Sequence, residues 1–332
     1  MAKKQFILIM TDSQRRDMIS RCNERGENMH TPCLDRLCDE GLAFNSAYTT
    51  QPVCGPARAG LFTGTYPHTN GMLGNCMALS QQSLTIGQRL SRAGIHAAYI
   101  GKWHLDGGDY FGDGICPDGW DEEYWYDMRN YLDELESDKD RERSRMLETA
   151  LEGEGIGEEF TYGYRCTKRA LDFMEKHKDE DYFLVVSYDE PHHPFLAPKS
   201  YYEPFYKPYL QKANQHMDFS KLPDHIKVWH EKYMEIQGGN GDGCAVGLLG
   251  SNSFIDSQIG RVLDGAEKNA EEALVLYTSD HGDAQGSHGI HAKGPAMYEE
   301  IINIPFIVRW KDKIQKGISS EMPVSHIDVV PT

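Results

Sequence analysis

The sequence predicts an α/β fold in which helices cover both faces of a mostly parallel central sheet. Short β-branched or aromatic runs alternate with segments of helical period along the 332 residues, and this alternation is typical of βαβ units. Polar side chains follow the ends of four separate predicted strands, which is where ligands bind in open α/β sheets. We see no internal repeat and no low-complexity linker.

The predicted elements follow in a regular order. A buried strand over 5–10 comes first, and Thr31 and Pro32 then begin a helix, as a hydroxyl cap followed by a proline in the first turn. Gly41 ends this helix. The other predicted helices are 83–93, 162–176 and 251–268, and the other predicted strands are 96–100, 182–188, 273–278 and 305–310.

Two long stretches interrupt this order, at about 106–157 and at about 197–243. The first is rich in Gly, Asp and aromatic residues and then in mixed charges, and the second carries clustered tyrosines and prolines. Stretches of this length either line or cover a site, or form solvated surface with some helix, and both interpretations stay open.

Composition and charge narrow the classes of partner. Lys and Arg number 34 against 51 Asp and Glu, and the net charge of -17 argues against a nucleic-acid partner, which needs a basic face. No apolar run approaches the length of a membrane span, so we expect no membrane partner. The apolar stretch 6–10 is short for a signal peptide, and Asp12 follows it closely, so we expect a cytoplasmic protein. The eight cysteines form no CxxC pair and predict no disulfide scaffold.

The polar side chains at the four strand ends are expected to meet in one site. A single aspartate at a strand end is more often a cap or a turn residue. Four strands that all end in Asp, Lys or His instead indicate a convergent site. In chain order the side chains are Asp12; Lys102 and His104; Asp189, His192 and His193; and Asp280, His281 and Asp283.

Three of these residues, Asp12, Asp280 and His281, are candidate ligands of a divalent metal. Carboxylates at a dry strand end repel each other, and a cation removes that cost. Basic side chains expected at the same place are Lys102, His104, His192 and Lys293. Cations beside a metal, in a protein this acidic, predict a site for an anion.

A cysteine lies at a predicted helix start. Pro56 in a first turn, followed by 57–62, predicts a helix with Cys54 at its mouth. Unpaired amide groups and the helix dipole there favour an anion and lower the pKa of a thiol. Cys54 is therefore a candidate nucleophile, with Arg58 one turn further on, although a single cysteine near a helix start is more often a packing residue.

Four blocks of the chain resemble the signature sequences of the formylglycine-dependent sulfatases of the alkaline phosphatase superfamily. The first block, 54–64, has the C-x-P-x-R sequence from Cys54 to Arg58 and the L-x-T-G tail. The second, 94–105, ends in Gly-Lys-Trp-His-Leu. The third, 278–298, contains Asp280, His281 and Lys293, and the fourth is 325–332. The blocks occur in family order, so their combination is far more specific than C-x-P-x-R alone.

The resemblance implies a chemical role for Cys54. A formylglycine-generating or anaerobic sulfatase-maturating enzyme would oxidise it to Cα-formylglycine, whose hydrate offers two hydroxyls. One hydroxyl, activated by the metal and Asp280, would attack the sulfur. His104 would take a proton from the second hydroxyl, so that sulfate leaves. The implied metal ligands are Asp12, Cys54, Asp280 and His281.

The resemblance also implies roles for the remaining basic side chains. His192, with Lys293, would stabilise or protonate the leaving alcohol oxygen. Lys102 and Lys293 would neutralise the sulfate oxygens, and Arg58 would steady the formylglycine. The implied activity is that of a sulfuric-ester hydrolase on a small sulfated substrate.

The chain departs from the family pattern at the metal site. Many sulfatases have two adjacent aspartates after the first strand, but here Ser13 and Gln14 follow Asp12, and His281 stands where some members have Asn. The family's usual ion is calcium, which takes about six to eight oxygen ligands, and one carboxylate fewer also leaves manganese or magnesium open. Related phosphonate monoester hydrolases also lack the second aspartate.

Phosphonate or phosphodiester hydrolysis is therefore the alternative activity. A non-catalytic anion-binding homologue and a cysteine hydrolase that uses Cys54 are further alternatives. A sugar sulfate is the expected substrate, on family frequency and on aromatic residues that either stack on a ring or pack in the core. These residues are Tyr110, Phe111, Trp120, Trp125 and Tyr131.

The resemblance further implies that 1–332 is the N-terminal catalytic domain of the family, with the stretches 106–157 and 197–243 as insertions. Family members usually continue past the position of Thr332 into a smaller C-terminal subdomain, which we therefore expect to be missing from this chain.

Overall fold

The computed structural model describes residues 3–23, 29–107, 109–146, 156–205, 217–237 and 242–332. Its strands are β1 (Gln5–Thr11), β2 (Leu42–Phe44), β3 (Ala47–Tyr48), β4 (His96–Gly101), β5 (Tyr182–Ser187), β6 (Leu274–Ser279), β7 (Phe306–Trp310), β8 (Ile318–Ser320) and β9 (Val324–Ser325). Its helices are α1 (Pro32–Glu40), α2 (Cys54–Thr63), α3 (Pro67–Asn70), α4 (Ile86–Arg92), α5 (Met128–Glu134), α6 (Asp138–Arg143), α7 (Tyr162–Lys176), α8 (Asp224–Gln237), α9 (Asp242–Asn269) and α10 (Glu299–Ile302).

The central sheet has seven strands in the order β4-β5-β1-β6-β7-β2-β8. Four adjacent strands of this sheet, β4, β5, β1 and β6, pair with one another in parallel. β7 is antiparallel to both β6 and β2, and β8 is parallel to β2, so β7 alone of these seven is reversed. The predicted mostly parallel α/β sheet is confirmed.

Helices cover both faces of this sheet, because the side chains of its central strands are apolar on both sides. Ile7 and Ile9 of β1 face one cluster of buried side chains, which also takes in α1, α7 and α9. Leu8 and Met10 face the other cluster, which includes Phe62 of α2. The period of two along a strand thus divides the core into two layers.

Most predicted bounds hold closely. The structure gives α7 as Tyr162–Lys176, the predicted range, and α1 begins at Pro32 and ends before Gly41. α4 begins at Ile86, later than predicted, because Thr85 and Gln88 form a capping box that fixes the first turn. α9 begins well before the predicted 251.

The stretch 106–157 contributes largely to the core where it is described. Trp120 and Trp125 are buried against Tyr99, with ring centroids 5.1 and 5.5 Å away, so they pack and do not offer a surface for a ring. α8 belongs to the stretch 197–243, of which 206–216 and 238–241 lie outside the described residues. In the part of the chain that the structure covers, no helix is both long enough and apolar enough for a bilayer span.

Candidate active site

The predicted strand-end residues meet at the carboxyl edge of the sheet. Asp12 follows β1, Lys102 follows β4, His192 lies beyond β5 and Asp280 follows β6. The parallel order β4-β5-β1-β6 places these ends side by side. All four side chains are buried, so the charges of Asp12, Lys102 and Asp280 act on each other with little screening by water.

Gly101 makes the turn that brings Lys102 into the site. Its φ is +124°, and a Cβ built on it would lie 1.9 Å from the Ser187 carbonyl oxygen, so only glycine fits. The next amide, of Lys102, donates to that same carbonyl at 2.8 Å. The ends of β4 and β5 are thereby locked together.

Arg58 lies inside the site and is fully buried. Its Nε donates to Asp280 Oδ2 at 3.0 Å and its Nη2 to Asp12 Oδ2 at 3.2 Å. Its Nη1 donates to the Lys102 carbonyl at 2.6 Å and to Ser187 Oγ at 2.8 Å. Burial alone would lower the pKa of Arg58, but Asp280 and Asp12 raise it, so the guanidinium stays charged and holds four strand ends in place.

Cys54 is the first residue of α2, as the sequence predicts, and its side chain is buried. Its Sγ lies 3.2 Å from His281 Nε2 and 3.7 Å from Asp12 Oδ1. Burial and Asp12 would raise the pKa of the thiol, but Lys293, Lys102 and His281 outweigh them and lower it to about 7. Position 54 thus favours an anionic nucleophilic atom.

The four predicted metal ligands form one compact cluster. Ligand atoms of Asp12, Cys54, Asp280 and His281 all lie within 4.8 Å of one another. Burial and then Asp12 raise the pKa of Asp280 to about 7, so the two carboxylates compete for negative charge. A divalent cation would relieve that competition, and the donor set fits one.

Ser13 and Gln14 follow Asp12, where many sulfatases have a second aspartate. Their two side chains make different contacts. Ser13 Oγ donates to Asp12 Oδ1 at 2.9 Å, and its amide donates to Asp280 Oδ1 at 3.2 Å, so its hydroxyl borders the cluster. Gln14 turns away, because its amide nitrogen donates to Asn252 at 2.6 Å and its amide oxygen accepts from Tyr277.

The two lysines flank the cluster. Lys102 Nζ lies 2.8 Å from Asp12 Oδ2 and 2.8 Å from Asp189 Oδ1. Lys293 Nζ donates to Ser13 Oγ at 3.3 Å and lies 4.0 Å from Asp12 Oδ1. Burial lowers the pKa of each ammonium, but neighbouring anionic groups, Asp12 and Cys54 among them, raise it more, so both stay charged.

His192 is held through its Nδ1 atom. That atom lies 2.7 Å from the His193 carbonyl oxygen and 3.0 Å from the Tyr110 hydroxyl. Burial, Lys293 and Lys102 lower the pKa of His192, so the ring is neutral. A carbonyl oxygen only accepts, so Nδ1 carries the proton and Nε2 is an acceptor, 4.0 Å from Asp12 Oδ1.

His104 is buried close to the same cluster. Its backbone has a φ of +59°, and its ring packs edge-on against Tyr110 at 5.5 Å. Burial, Lys102 and Arg58 lower the pKa of His104 to about 3. Nδ1 makes no hydrogen bond with another described residue, so this neutral ring retains a free acceptor or donor.

Sequence reasoning placed Asp189 among the strand-end residues of the site but missed the contact that Tyr110 makes with it. The Tyr110 hydroxyl donates to Asp189 Oδ1 at 2.5 Å and accepts from Lys102 Nζ at 2.9 Å. Asp189 was recognisable from its position after a buried strand, whereas Tyr110 lies in a stretch without periodicity. Together the two residues join Lys102 to His192.

A cavity of about 310 Å³ lies beside His192. Side chains that line it include Tyr110, Phe111, Tyr131, Tyr162 and Glu190. Burial and then Asp189 raise the pKa of Glu190 to about 7, so its carboxyl holds a proton in mildly acidic solution. Glu190 Oε1 accepts from the Gly163 amide at 3.0 Å, while Oε2 has no partner among the described residues.

Comparisons with known proteins place this geometry in context. A family model described as Sulfatase matches residues 4–332. The chain is 42% identical over 342 residues to the "Uncharacterized sulfatase YidJ" of Escherichia coli (strain K12), an alignment that covers 100% of this chain and 67% of that protein. It is 28% identical to the "Ulvan-active sulfatase" of Formosa agariphila, with 99% of this chain and 61% of that protein covered.

A similar fold is found in the crystal structure of the phosphonate monoester hydrolase of Agrobacterium radiobacter. The TM-score is 0.81 at 19% identity, and the match covers 99% of this chain and 73% of that chain. The chain thus spans between 61% and 73% of these three proteins.

Proposed function

Because the chain belongs to the sulfatase family, we propose that it carries the catalytic site of a sulfuric-ester hydrolase, which releases inorganic sulfate from a small sulfated substrate. One observation supports this above all. A protein with a net charge of -17 gathers three cations, two of them buried and one 14% exposed, around Cys54 and two carboxylates. The three are Arg58, Lys102 and Lys293.

The two lysines are the groups that would bind the sulfate. Sulfuryl transfer needs positive charge around the equatorial oxygens of the sulfur, and preorganised cations in a dry site supply it. Lys102 follows β4 and contacts Asp12, whereas Lys293 lies in the segment between β6 and α10 and contacts Ser13. Arg58 is occupied by protein acceptors, so we assign it the positioning of Asp12 and Asp280.

The cluster of Asp12, Asp280, His281 and the group at position 54 would hold a divalent metal, calcium first and manganese or magnesium next. When bound, such an ion supplies positive charge that favours the deprotonated form of an oxygen nucleophile. Conversion of Cys54 to formylglycine by a maturation enzyme would supply that oxygen in place of the thiol. The Cys54 Sγ marks the position where it would lie.

The protein groups divide the proton transfers between them. Asp280, whose carboxylate lies beside position 54 in the cluster, would accept the proton of the attacking hydroxyl. Lys293 keeps its proton and is our candidate donor to the leaving alcohol oxygen. Neutral His192 presents an acceptor at Nε2, so we assign it the orientation of that alcohol, and we retain His104 as the base that releases sulfate.

A sugar sulfate is the substrate class that we propose. Tyr110, Phe111 and Tyr131 line the cavity beside His192, and aromatic faces suit the apolar face of a sugar ring. The relative named as ulvan-active supports a saccharide. We propose a cytoplasmic location as well, which would favour a small saccharide over a polymer.

Phosphonate or phosphodiester hydrolysis is the second candidate. Ser13, a neutral residue, stands where many sulfatases have a second aspartate, and its hydroxyl borders the metal cluster. A site with one carboxylate fewer repels an anionic ester less, and phosphonate monoesters and phosphodiesters carry one negative charge, as a sulfate ester does, so the same site accommodates them.

The test combines mass spectrometry with a substrate panel. The intact mass of the peptide across Cys54 shows whether the thiol has become an aldehyde. The matured protein is then assayed on an aryl sulfate, on sulfated monosaccharides and on a phosphonate monoester, with Cys54→Ala as the control. Preference for a sulfate ester that Cys54→Ala abolishes supports the proposal. Preference for the phosphonate would make phosphonate hydrolysis the first candidate function and sulfuric-ester hydrolysis the second. Activity that is blocked by thiol alkylation but not by a chelator indicates a cysteine hydrolase.

A further inference from the structure

Two histidines and two carboxylates meet at the edge of the sheet opposite the candidate active site. His96 is the first residue of β4, whose other end carries Gly101. The two ends lie roughly 17 Å apart, at about 3.3 Å per residue. His177 follows the last residue of α7, and Glu180 lies in the turn before β5.

Both imidazoles direct the same ring atom at one carboxylate. His96 Nδ1 lies 3.1 Å from Glu180 Oε2, and His177 Nδ1 lies 3.0 Å from Glu180 Oε1. The two rings are 4.6 Å apart and nearly perpendicular, at 89°. One potential ligand atom from each residue lies within 4.8 Å of the others, which suits a single ion with three protein ligands.

Asp121 settles the tautomer of His96. Its Oδ2 lies 2.5 Å from His96 Nε2, and because a carboxylate only accepts, Nε2 carries the proton. In a neutral ring, Nδ1 then carries a lone pair that faces the Glu180 carboxylate. Both groups are hydrogen-bond acceptors, so they repel each other. A proton on Nδ1 or a metal ion between the two groups removes that repulsion. Histidines that bind metals commonly donate their other nitrogen to a carboxylate in this way.

The Glu180 and Asp121 carboxylates pair with the two histidines and not with the other described charged groups nearby. Within the described residues, Glu180 and Asp121 form salt bridges with His96 and His177 only. Lys176 pairs instead with Asp172 at 3.0 Å. Phe173 packs against both histidine rings, with centroids 5.2 and 4.7 Å away, and so restricts their orientation.

We propose that His96, His177 and Glu180 form a second metal site, for a transition ion of the Zn²⁺ class, with Asp121 as a positioning residue. Two imidazoles and one carboxylate are the ligands that Zn²⁺ prefers, whereas calcium and magnesium prefer oxygen alone. His96 and His177 are 25% and 19% exposed, so an ion can enter and keep a water as its fourth ligand. The ion would tie β4 to the end of α7 and so stabilise the fold.

Metal content tests this site without any assay of activity, so its outcome is independent of the proposed function. The folded protein is freed of metal with a chelator and dialysed against Zn²⁺, beside His96→Gln, His177→Gln and Asp121→Asn. His68→Gln is the matched control, because His68 is exposed and its ring stacks on Tyr66. Far-UV circular dichroism confirms that each variant is folded.

We expect the native protein and His68→Gln each to bind one more Zn²⁺ per chain than His96→Gln or His177→Gln binds. Asp121→Asn should keep this Zn²⁺ but bind it roughly 10- to 100-fold more weakly, as loss of a supporting carboxylate typically does. Zn²⁺ should also raise the melting temperature of the native protein more than that of His177→Gln. Equal Zn²⁺ content in the native protein and His177→Gln would overturn the proposal and leave two histidines hydrogen-bonded to one carboxylate.

Discussion

Replacement of Lys102 by methionine tests whether a buried cation holds the candidate active site together. Methionine has a similar length and no charge, so the change removes the ammonium and leaves most of the packing. The Lys102 side chain is 1% exposed, and its Nζ lies 2.8 Å from both Asp12 and Asp189. Removal of one partner from a buried ion pair costs about 3–5 kcal/mol, because the other charge stays buried without compensation.

The structure favours the lower end of that range. Asp12 keeps Arg58 at 3.2 Å, so Asp189 is the carboxylate that loses its cation. We therefore expect Lys102→Met to lower the free energy of unfolding by about 3 kcal/mol. Lys176→Met is the control: Lys176 and its partner Asp172 are 54% and 53% exposed, and loss of such a pair costs less than about 1 kcal/mol.

Urea unfolding of the two variants and the native protein, without added metal, measures both values. A loss of less than about 1 kcal/mol for Lys102→Met would refute the reasoning, because it would mean that Asp189 needs no cation.

Three further predictions concern single residues. Cys54→Ala should abolish turnover and leave the melting temperature nearly unchanged, since alanine fits a helix start; a strongly destabilised variant would instead make Cys54 a packing residue. Gly101→Ala should unfold the protein or destabilise it severely, because its Cβ would meet the Ser187 carbonyl at 1.9 Å, and native-like stability in thermal unfolding would contradict this. Glu190 has its folded-state pKa raised to about 7 from about 4.3, so the folded protein binds that proton more tightly. Its contribution to stability is complete below about pH 4 and is lost as the pH rises through about 7, a change of order 3 kcal/mol. Glu190→Gln should therefore gain stability relative to the native protein between about pH 5 and about pH 8, and a constant difference in urea unfolding would count against the raised pKa.

The strand-end residues were predictable because parallel strands present their carboxyl ends at one edge. Once β1, β4, β5 and β6 were recognised as strands, Asp12, Lys102, His192 and Asp280 had to lie near one another. Cys54 was predictable for a different reason, since Pro56 identifies the helix start at which it lies.

Other features leave little trace in the sequence. β2 and β8 have three residues each, too few to show a period of two, and the reversal of β7 depends on its partners and not on its own residues. Trp120 and Trp125 are aromatic residues in a glycine-rich stretch, and only the tertiary packing shows that they lie in the core. Tyr110 reaches Lys102 across a turn that no local pattern describes.

Arg58 has consequences for selectivity. Four of its N–H hydrogen bonds go to protein acceptors, so an incoming anion meets ammonium groups and not a guanidinium fork. A fork matches two oxygens in one plane, whereas an ammonium is a compact charge that accepts many orientations. Sulfate esters, phosphonate monoesters and phosphodiesters are all tetrahedral monoanions, so two ammonium groups discriminate weakly between them. We therefore expect a side activity on the less favoured ester. That activity offers a starting point for directed evolution towards either sulfate-ester or phosphorus-ester hydrolysis.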